Sequence, residues 1–166
     1  YEMINFARFI SIFSQLNHPS ILKYVGYSPV DFDNKPNVMV FTKVTKKTID
    51  FDLNYNDTQK LIIIYGIAHG MCYLHSHNIL HRNLNPSVIY VDKNNFPIIS
   101  GFDIAKEIKG DAEEYNEKIK GTPAYIAPEV YLHKGYSKMS DVYSFSLIMY
   151  EILTGHQPYD NIMNTY

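Results

Sequence analysis

Apolar residues recur near helical period at Ile4, Phe6, Phe9, Ile10, Phe13 and Leu16, which predicts a helix over residues 3–16. Asn17-His18-Pro19 stops it, because proline disfavours helical geometry in the residue before it. Two strand-like runs follow, residues 21–27 and 37–44, on either side of a polar loop holding Asp31, Asp33, Asn34 and Pro36. That arrangement predicts a hairpin. Residues 45–57 are polar and read as a bridge between two parts of the molecule. A long helix is expected from about Thr58 to His77, capped by Asp57 or Thr58. Short strands at 88–91 and 97–100 flank the turn-forming Asp92-Lys93-Asn94-Asn95, so a second hairpin is expected. Residues 103–124 are charged with little apolar pattern and read as a mobile surface loop. Asp141 to Thr154 is apolar nearly all round, the mark of a buried helix, and Gly155 is a natural terminator.

Composition narrows the class of molecule. At 166 residues, 46% hydrophobic and 19% charged, the chain matches an ordinary globular domain with a real core. A net charge of −2 gives no basic balance toward nucleic acid or an anionic membrane. The longest strongly apolar stretch, Leu61 to Ala68, is far short of the roughly 20 residues a membrane helix needs. A single cysteine, Cys72, forms no internal disulfide and suits a reducing compartment, so a cytoplasmic location is expected. No secretory signal opens the chain, which begins at Tyr1, and a partial sequence is expected.

Several segments, in order, resemble the eukaryotic protein kinase family. Phe6 to Pro19 is similar to its C-helix and the His-Pro after it. His81-Arg82-Asn83-Leu84-Asn85-Pro86 resembles the catalytic loop, and Ser100-Gly101-Phe102 stands where the magnesium-binding Asp-Phe-Gly begins. Gly121 to Glu129, GTPAYIAPE, resembles the substrate-docking loop and Ala-Pro-Glu signature. Ser140 to Phe145 and Leu153-Thr154-Gly155 resemble the buried helix that follows. Thr122 to Glu129 and Pro86 look like the Ser/Thr or tyrosine-kinase-like branch. The resemblance implies a truncated α+β, two-lobed fold: a small-lobe part over 1–44, a hinge or linker over 45–57, and most of a mainly helical large lobe over 58–166. It places Thr42 as gatekeeper, Lys43 to Thr45 as hinge, and Val44 among the nucleotide positions. The glycine-rich loop and the phosphate-binding lysine fall outside the chain, as does the family's partner for Glu129.

The same resemblance shows what has been replaced. Phosphoryl transfer needs positioned phosphates, bound magnesium and an acceptor for the substrate proton. Asn83 stands at the catalytic aspartate's position, and an amide does not accept a proton near neutral pH. Asn85 replaces the lysine that faces the transferring phosphate. Val88 replaces a magnesium-binding asparagine and Gly101 a magnesium-binding aspartate; neither side chain offers the oxygen magnesium demands. Phe9 aligns with the C-helix glutamate and pairs with no lysine. Asp103 lies two residues past Gly101; in an extended segment it would fall about 6–7 Å too far along to take over. Scaffold residues, by contrast, are present. Phe13, Tyr24, His81 and Phe102 suit the stacked apolar spine linking the lobes, and Asp141 matches the buried aspartate bracing the catalytic loop.

Two other patterns carry competing readings. His69, Cys72 and His75 share a helical face at three-residue steps, a metal-ligand spacing, but the resemblance accounts for His75 and His81 without metal, so no metal site is expected. Asp111-Ala112-Glu113-Glu114 falls in the activation segment; it is either solvated loop or a carboxylate set that pairs with Arg82 in place of a phosphate. The expectation is a catalytically inactive kinase-like signalling domain, a pseudokinase, acting as scaffold or allosteric partner for an active kinase or another signalling protein. It would require no cofactor, with magnesium binding impaired and ATP binding left open. The alternatives are a weak ATP-dependent Ser/Thr-type kinase using Asp103 and a nucleotide-binding switch without transfer.

Overall fold

The computed structural model describes residues 10–28, 38–41, 48–49, 55–108 and 118–159. Residues 10–15 are helical (α1), and Ile12, Phe13 and Leu16 turn into the core. The rest of the expected first helix, Phe9 included, lies outside the described residues, as do Thr42, Val44 and the acidic run at 111–114. Strands β1 (Tyr24–Ser28) and β2 (Val38–Phe41) pair antiparallel with a bulge between Tyr24 and Gly26. The first strand starts later than its apolar pattern suggests because Ile21 is used elsewhere: it bridges Ile99 in parallel, and Leu22 N–H donates to the Ile99 carbonyl at 2.8 Å.

The long helix α2 spans Asp57–Ser76, and its cap is Asn56, one residue before Asp57 and two before Thr58, the expected candidates. Asn56 Oδ1 accepts from Gln59 N–H (3.0 Å) while Gln59 Oε1 accepts from Asn56 N–H (2.9 Å). This reciprocal box satisfies two otherwise orphaned donors and decides the boundary. Gly66 and Gly70 let α2 lie directly on the second hairpin. A Cβ at Gly66 would meet Pro97 Cγ at 2.4 Å, and one at Gly70 would meet Ile99 Cδ1 at 2.8 Å.

That hairpin is β4 (Ile89–Val91) against β5 (Pro97–Ile99), in the register Ile89↔Ile99. Asp92 builds its turn, with Oδ1 accepting from Asn94 N–H (2.7 Å) and Phe96 N–H (2.9 Å). Strand β3 (Ile79–Leu80) pairs with β6 (Lys106–Glu107), so residues 103–108 are not the loop their charge suggested. Ala105 and Ile108 are buried; two-residue strands are simply too short to show a period in sequence. The polar bridge also departs from expectation at Ile49, which is buried and donates its N–H to the Ile89 carbonyl at 2.9 Å.

Two further helices complete the described residues: α3 (Pro128–Tyr131) and α4 (Lys138–Thr154). Helix α4 begins three residues before Asp141 because Ser137 caps it, with Ser140 closing the box, and Gly155 ends it at φ 73°. Its buried face, including Ile148 and Ile152, joins Ile63, Ile67, Met71 and Leu74 of α2 in one core. A second cluster gathers Leu80, Ile108, Ala127, Val130 and Tyr136. Among the described residues no helix is long and apolar enough to cross a membrane.

Candidate functional site

The segment from His81 to Val88 is held from below by α4. The Asp141 carboxylate is 2% exposed. Oδ2 accepts the His81 N–H and Oδ1 the Arg82 N–H, each at 2.9 Å. His75 Nε2 adds a third contact at 2.9 Å. These bonds fix Arg82 at φ 68°, a left-handed conformation that non-glycine residues hold only under constraint.

His81 is fully buried, and its Nε2 sits 2.8 Å from the Ser100 carbonyl, so Nε2 carries the proton. Nδ1 accepts from Asn83 N–H at 3.3 Å. Burial holds the His81 pKa below the usual histidine range, against the opposing pull of Asp141 and the Ser100 carbonyl. Its ring lies 4.9 Å from Phe102, Phe102 lies 5.1 Å edge-on to Phe13, and Phe13 lies 6.0 Å from Tyr24. The four residues thus form one aromatic column between the hairpin β1–β2 and the His81 loop.

Asn83, Asn85 and Thr122 meet in a neutral network. Thr122 Oγ1 donates to Asn83 Oδ1 at 3.0 Å. Asn85 Nδ2 donates to the Asn83 carbonyl (2.8 Å), Asn83 Oδ1 (3.2 Å) and Thr122 Oγ1 (3.1 Å). Asn85 is 3% exposed, and its own Oδ1 accepts the Ser87 N–H at 2.9 Å, capping the 3₁₀ turn Pro86–Val88. That turn sets Val88 over Gly101. Gly101 is left-handed, at φ 74° and ψ 39°. A Cβ there would stand 2.3 Å from Val88 Cγ1 and 2.7 Å from Val88 Cβ.

Beside this contact lies a cavity of about 380 Å³, lined by Phe13, Leu22, Phe41, Phe102, Tyr90, Val88, Ser87, Ser100, Gly101 and Asp103. Asp103 therefore reaches the cavity. The extended geometry assumed for it is wrong, because residues 102–104 form a 3₁₀ turn after the left-handed Gly101. It supplies the one carboxylate of the described lining, which holds no lysine, arginine or histidine. Among the described residues no cluster of three or more metal-ligating side chains exists. Magnesium between positions 88 and 101 does not fit these residues: neither side chain carries an oxygen, and Val88 fills the space beside Gly101.

The helical trio weighed for zinc is divided. His75 faces Asp141. His69 Nδ1 accepts from His18 Nε2 at 3.1 Å, since His18 Nδ1 already accepts the Ser20 N–H. Cys72 is exposed. The Arg82 guanidinium carbon lies 4.3 Å over the Tyr136 ring, and the Tyr136 hydroxyl accepts from Lys120 N–H (2.7 Å) and donates to the Lys120 carbonyl (2.6 Å). Tyr136 was missed in the sequence because a tyrosine in a polar run carries no distinguishing signal. Glu151 was also missed. It is 1% exposed and accepts a hydrogen bond from the Tyr125 hydroxyl; its signal is an acid, the second after Asp141, on the buried face of α4. Glu129 is half-buried, and the Lys134 N–H binds its backbone carbonyl at 2.9 Å.

An aromatic column, a loop braced by a buried aspartate, and a cavity between hairpin and helices define a partial protein-kinase-like domain. The chain belongs to the protein tyrosine and serine/threonine kinase family, whose profile matches residues 1–166. It is 34% identical over 90% of its length to a cysteine-rich receptor-like protein kinase of Arabidopsis thaliana, covering 23% of that protein. It is 32% identical over 97% of its length to a probable serine/threonine-protein kinase of Dictyostelium discoideum, covering 12% of it. Against the serine/threonine-protein kinase polo of Drosophila melanogaster it is 31% identical over 93% of its length, covering 27% of that protein. The chain thus spans about a quarter or less of these two Arabidopsis and Dictyostelium relatives.

Proposed function

We propose that this is a catalytically inactive protein-kinase-like signalling domain that works through protein partners, as scaffold or as allosteric partner of an active kinase. The observation that carries the reading is the joint state of the cleft. Asn83, at the proton acceptor's position, has its side-chain oxygen engaged by Thr122 and Asn85, and the two metal positions are an isopropyl group against a bare Cα. A site without a carboxylate at position 83 and without oxygen ligands at positions 88 and 101 lacks what phosphoryl transfer requires there. Within this reading the division into a small-lobe part (1–44), linker (45–57) and large-lobe part (58–166) is kept, and the location is cytoplasmic.

The second reading, a weak Ser/Thr-type kinase, is favoured by one observation: Asp103 lines the cavity. The names of the relatives, serine/threonine-protein kinases among them, point the same way. A nucleotide-binding switch without transfer is a third. The deciding experiment is phosphate transfer from labelled ATP by the full native chain, with magnesium and with manganese. Silence is expected. Transfer above background that disappears in Asp103→Ala would overturn the inactive reading and establish the second.

A further inference from the structure

The cleft's replaced positions are not independent. Val88 is fixed from two sides. Its carbonyl accepts both the Ser100 N–H and the Ser100 hydroxyl, each at 2.8 Å. Its own N–H bonds to the Asn85 carbonyl at 3.2 Å, in a turn capped by Asn85 Oδ1. Val88 therefore has little freedom to retreat, because both ends of its peptide environment are tied to neighbouring structure. Gly101 follows Ser100 directly and faces the Val88 side chain. Real Cβ contacts shorter than 3.0 Å essentially do not occur, and a new Cβ would stand at 2.3 Å and 2.7 Å from Val88 atoms. The obstruction is the branched stem of a β-branched side chain, including its Cβ, which no rotamer moves aside.

We infer that Val88 and Gly101 are a matched pair, each shaped to the other, that fills the floor of the cleft and shuts divalent cations out of it. The pair rests on the inactive reading above and deepens it. A cation entering between these positions would meet methyl groups and a Cα hydrogen, and it would lose hydration without gaining oxygen ligands. Ser100 offers no substitute, since its hydroxyl is already donated to the Val88 carbonyl. Asp103 stands at the cavity wall outside this contact, so a metal held there would sit off the floor.

The test is a double-mutant cycle on thermal midpoint in the full native chain: Gly101→Ala, Val88→Gly and the pair together. Gly101→Ala is expected to lower the midpoint by about 5 °C or more in the Val88 background, at roughly 2–4 °C per kcal/mol for a chain of this size. The same change is expected to cost less than half of that in the Val88→Gly background, where only the left-handed φ is penalised. Additive shifts would overturn the matched pair. Should Val88→Gly fail to fold, manganese decides on the native protein. Neither manganese alone nor manganese added to ATP should raise the midpoint beyond the metal-free, chelated control. A metal-dependent rise that persists in Asp103→Ala, without phosphate transfer, would overturn this inference and leave the inactive reading standing. Phosphate transfer lost on Asp103→Ala, from a protein with a coupled cycle, would overturn the inactive reading and leave the matched pair intact.

Discussion

Replacing Asp141 with alanine is expected to unfasten the loop that the whole cleft is built on. The carboxylate accepts two backbone donors, His81 N–H and Arg82 N–H, and contacts His75 Nε2, all at 2.9 Å. His81 and Arg82 are 0% and 6% exposed, so water does not readily take over. Each buried donor left unsatisfied costs about 1–3 kcal/mol, which puts the two amides together at roughly 2–6 kcal/mol. The left-handed Arg82 at φ 68° adds to the loss, because a strained conformation persists only while its surroundings enforce it. Asp141 also lies in the first turn of α4, where a negative charge contributes a further several tenths of a kcal/mol. A total near 4 kcal/mol is a large share of the roughly 5–15 kcal/mol that a domain has. Asp141→Asn keeps one acceptor oxygen and should lose about half as much. The assay is urea unfolding of the full native chain, paired with hydrogen exchange at the His81 and Arg82 amides. A change in unfolding free energy under about 0.5 kcal/mol in Asp141→Ala, with both amides still protected, would refute the reasoning.

Three further outcomes are expected. Gly66→Ala should destabilise by about 1–3 kcal/mol in urea unfolding, despite better helix propensity, because the new Cβ would press on Pro97 at 2.4 Å and 2.6 Å; a more stable variant would sink the close-approach argument. Tyr136→Phe keeps the ring beneath Arg82 but removes both bonds to the Lys120 backbone, so it should cost about 1–2 kcal/mol and speed exchange at the Lys120 amide. His81 is held neutral by burial, its pKa below the usual value. Below about pH 6.5 the unfolded chain therefore binds the extra proton first, and stability present above that pH is lost on acidification, by at most about 1.4 kcal/mol per pH unit from this ring. An NMR titration in which the His81 ring of the folded chain protonates near pH 6.5 or above would contradict that sign.

The elements longest in sequence were the most legible. α2 and α4 announced themselves through apolar residues; α2 lies one residue earlier than expected at both ends and α4 starts three residues early, because Asn56 and Ser137 cap through bonds that a period does not reveal. The pairing of β3 with β6 was invisible, since two residues give no alternation and the contact joins segments far apart in the chain. At the site, the family resemblance located Asn83, Asn85, Val88 and Gly101, but not what they do to one another. Asp103 shows the limit most clearly. Its distance was argued from extended geometry, and one left-handed glycine followed by a 3₁₀ turn puts it at the cavity wall instead. Tyr136 and Glu151 owe their contacts to packing between distant segments, with Lys120 in one case and Tyr125 in the other.

The wiring of the cleft also bears on how its chemistry would have to be rebuilt. Asn83→Asp is compatible with the structure, because the bonds it receives from Asn85 and Thr122 end on an oxygen that a carboxylate also provides. Asn85→Lys is not equivalent. An ammonium has no acceptor, so the Ser87 N–H bond that caps the Val88 turn would be lost, and a charge would sit at a position 3% exposed. Gly101→Asp meets Val88 before its carboxylate reaches any ion. The neutral residues Asn83, Asn85 and Thr122 satisfy one another. Asn85→Lys or Gly101→Asp made alone leaves a donor unpaired, a charge buried or an atom without room. Restoring one residue at a time therefore costs stability at Asn85 and Gly101 before any metal is gained. The loop beneath stays in place throughout, because Asp141 grips its backbone rather than its side chains.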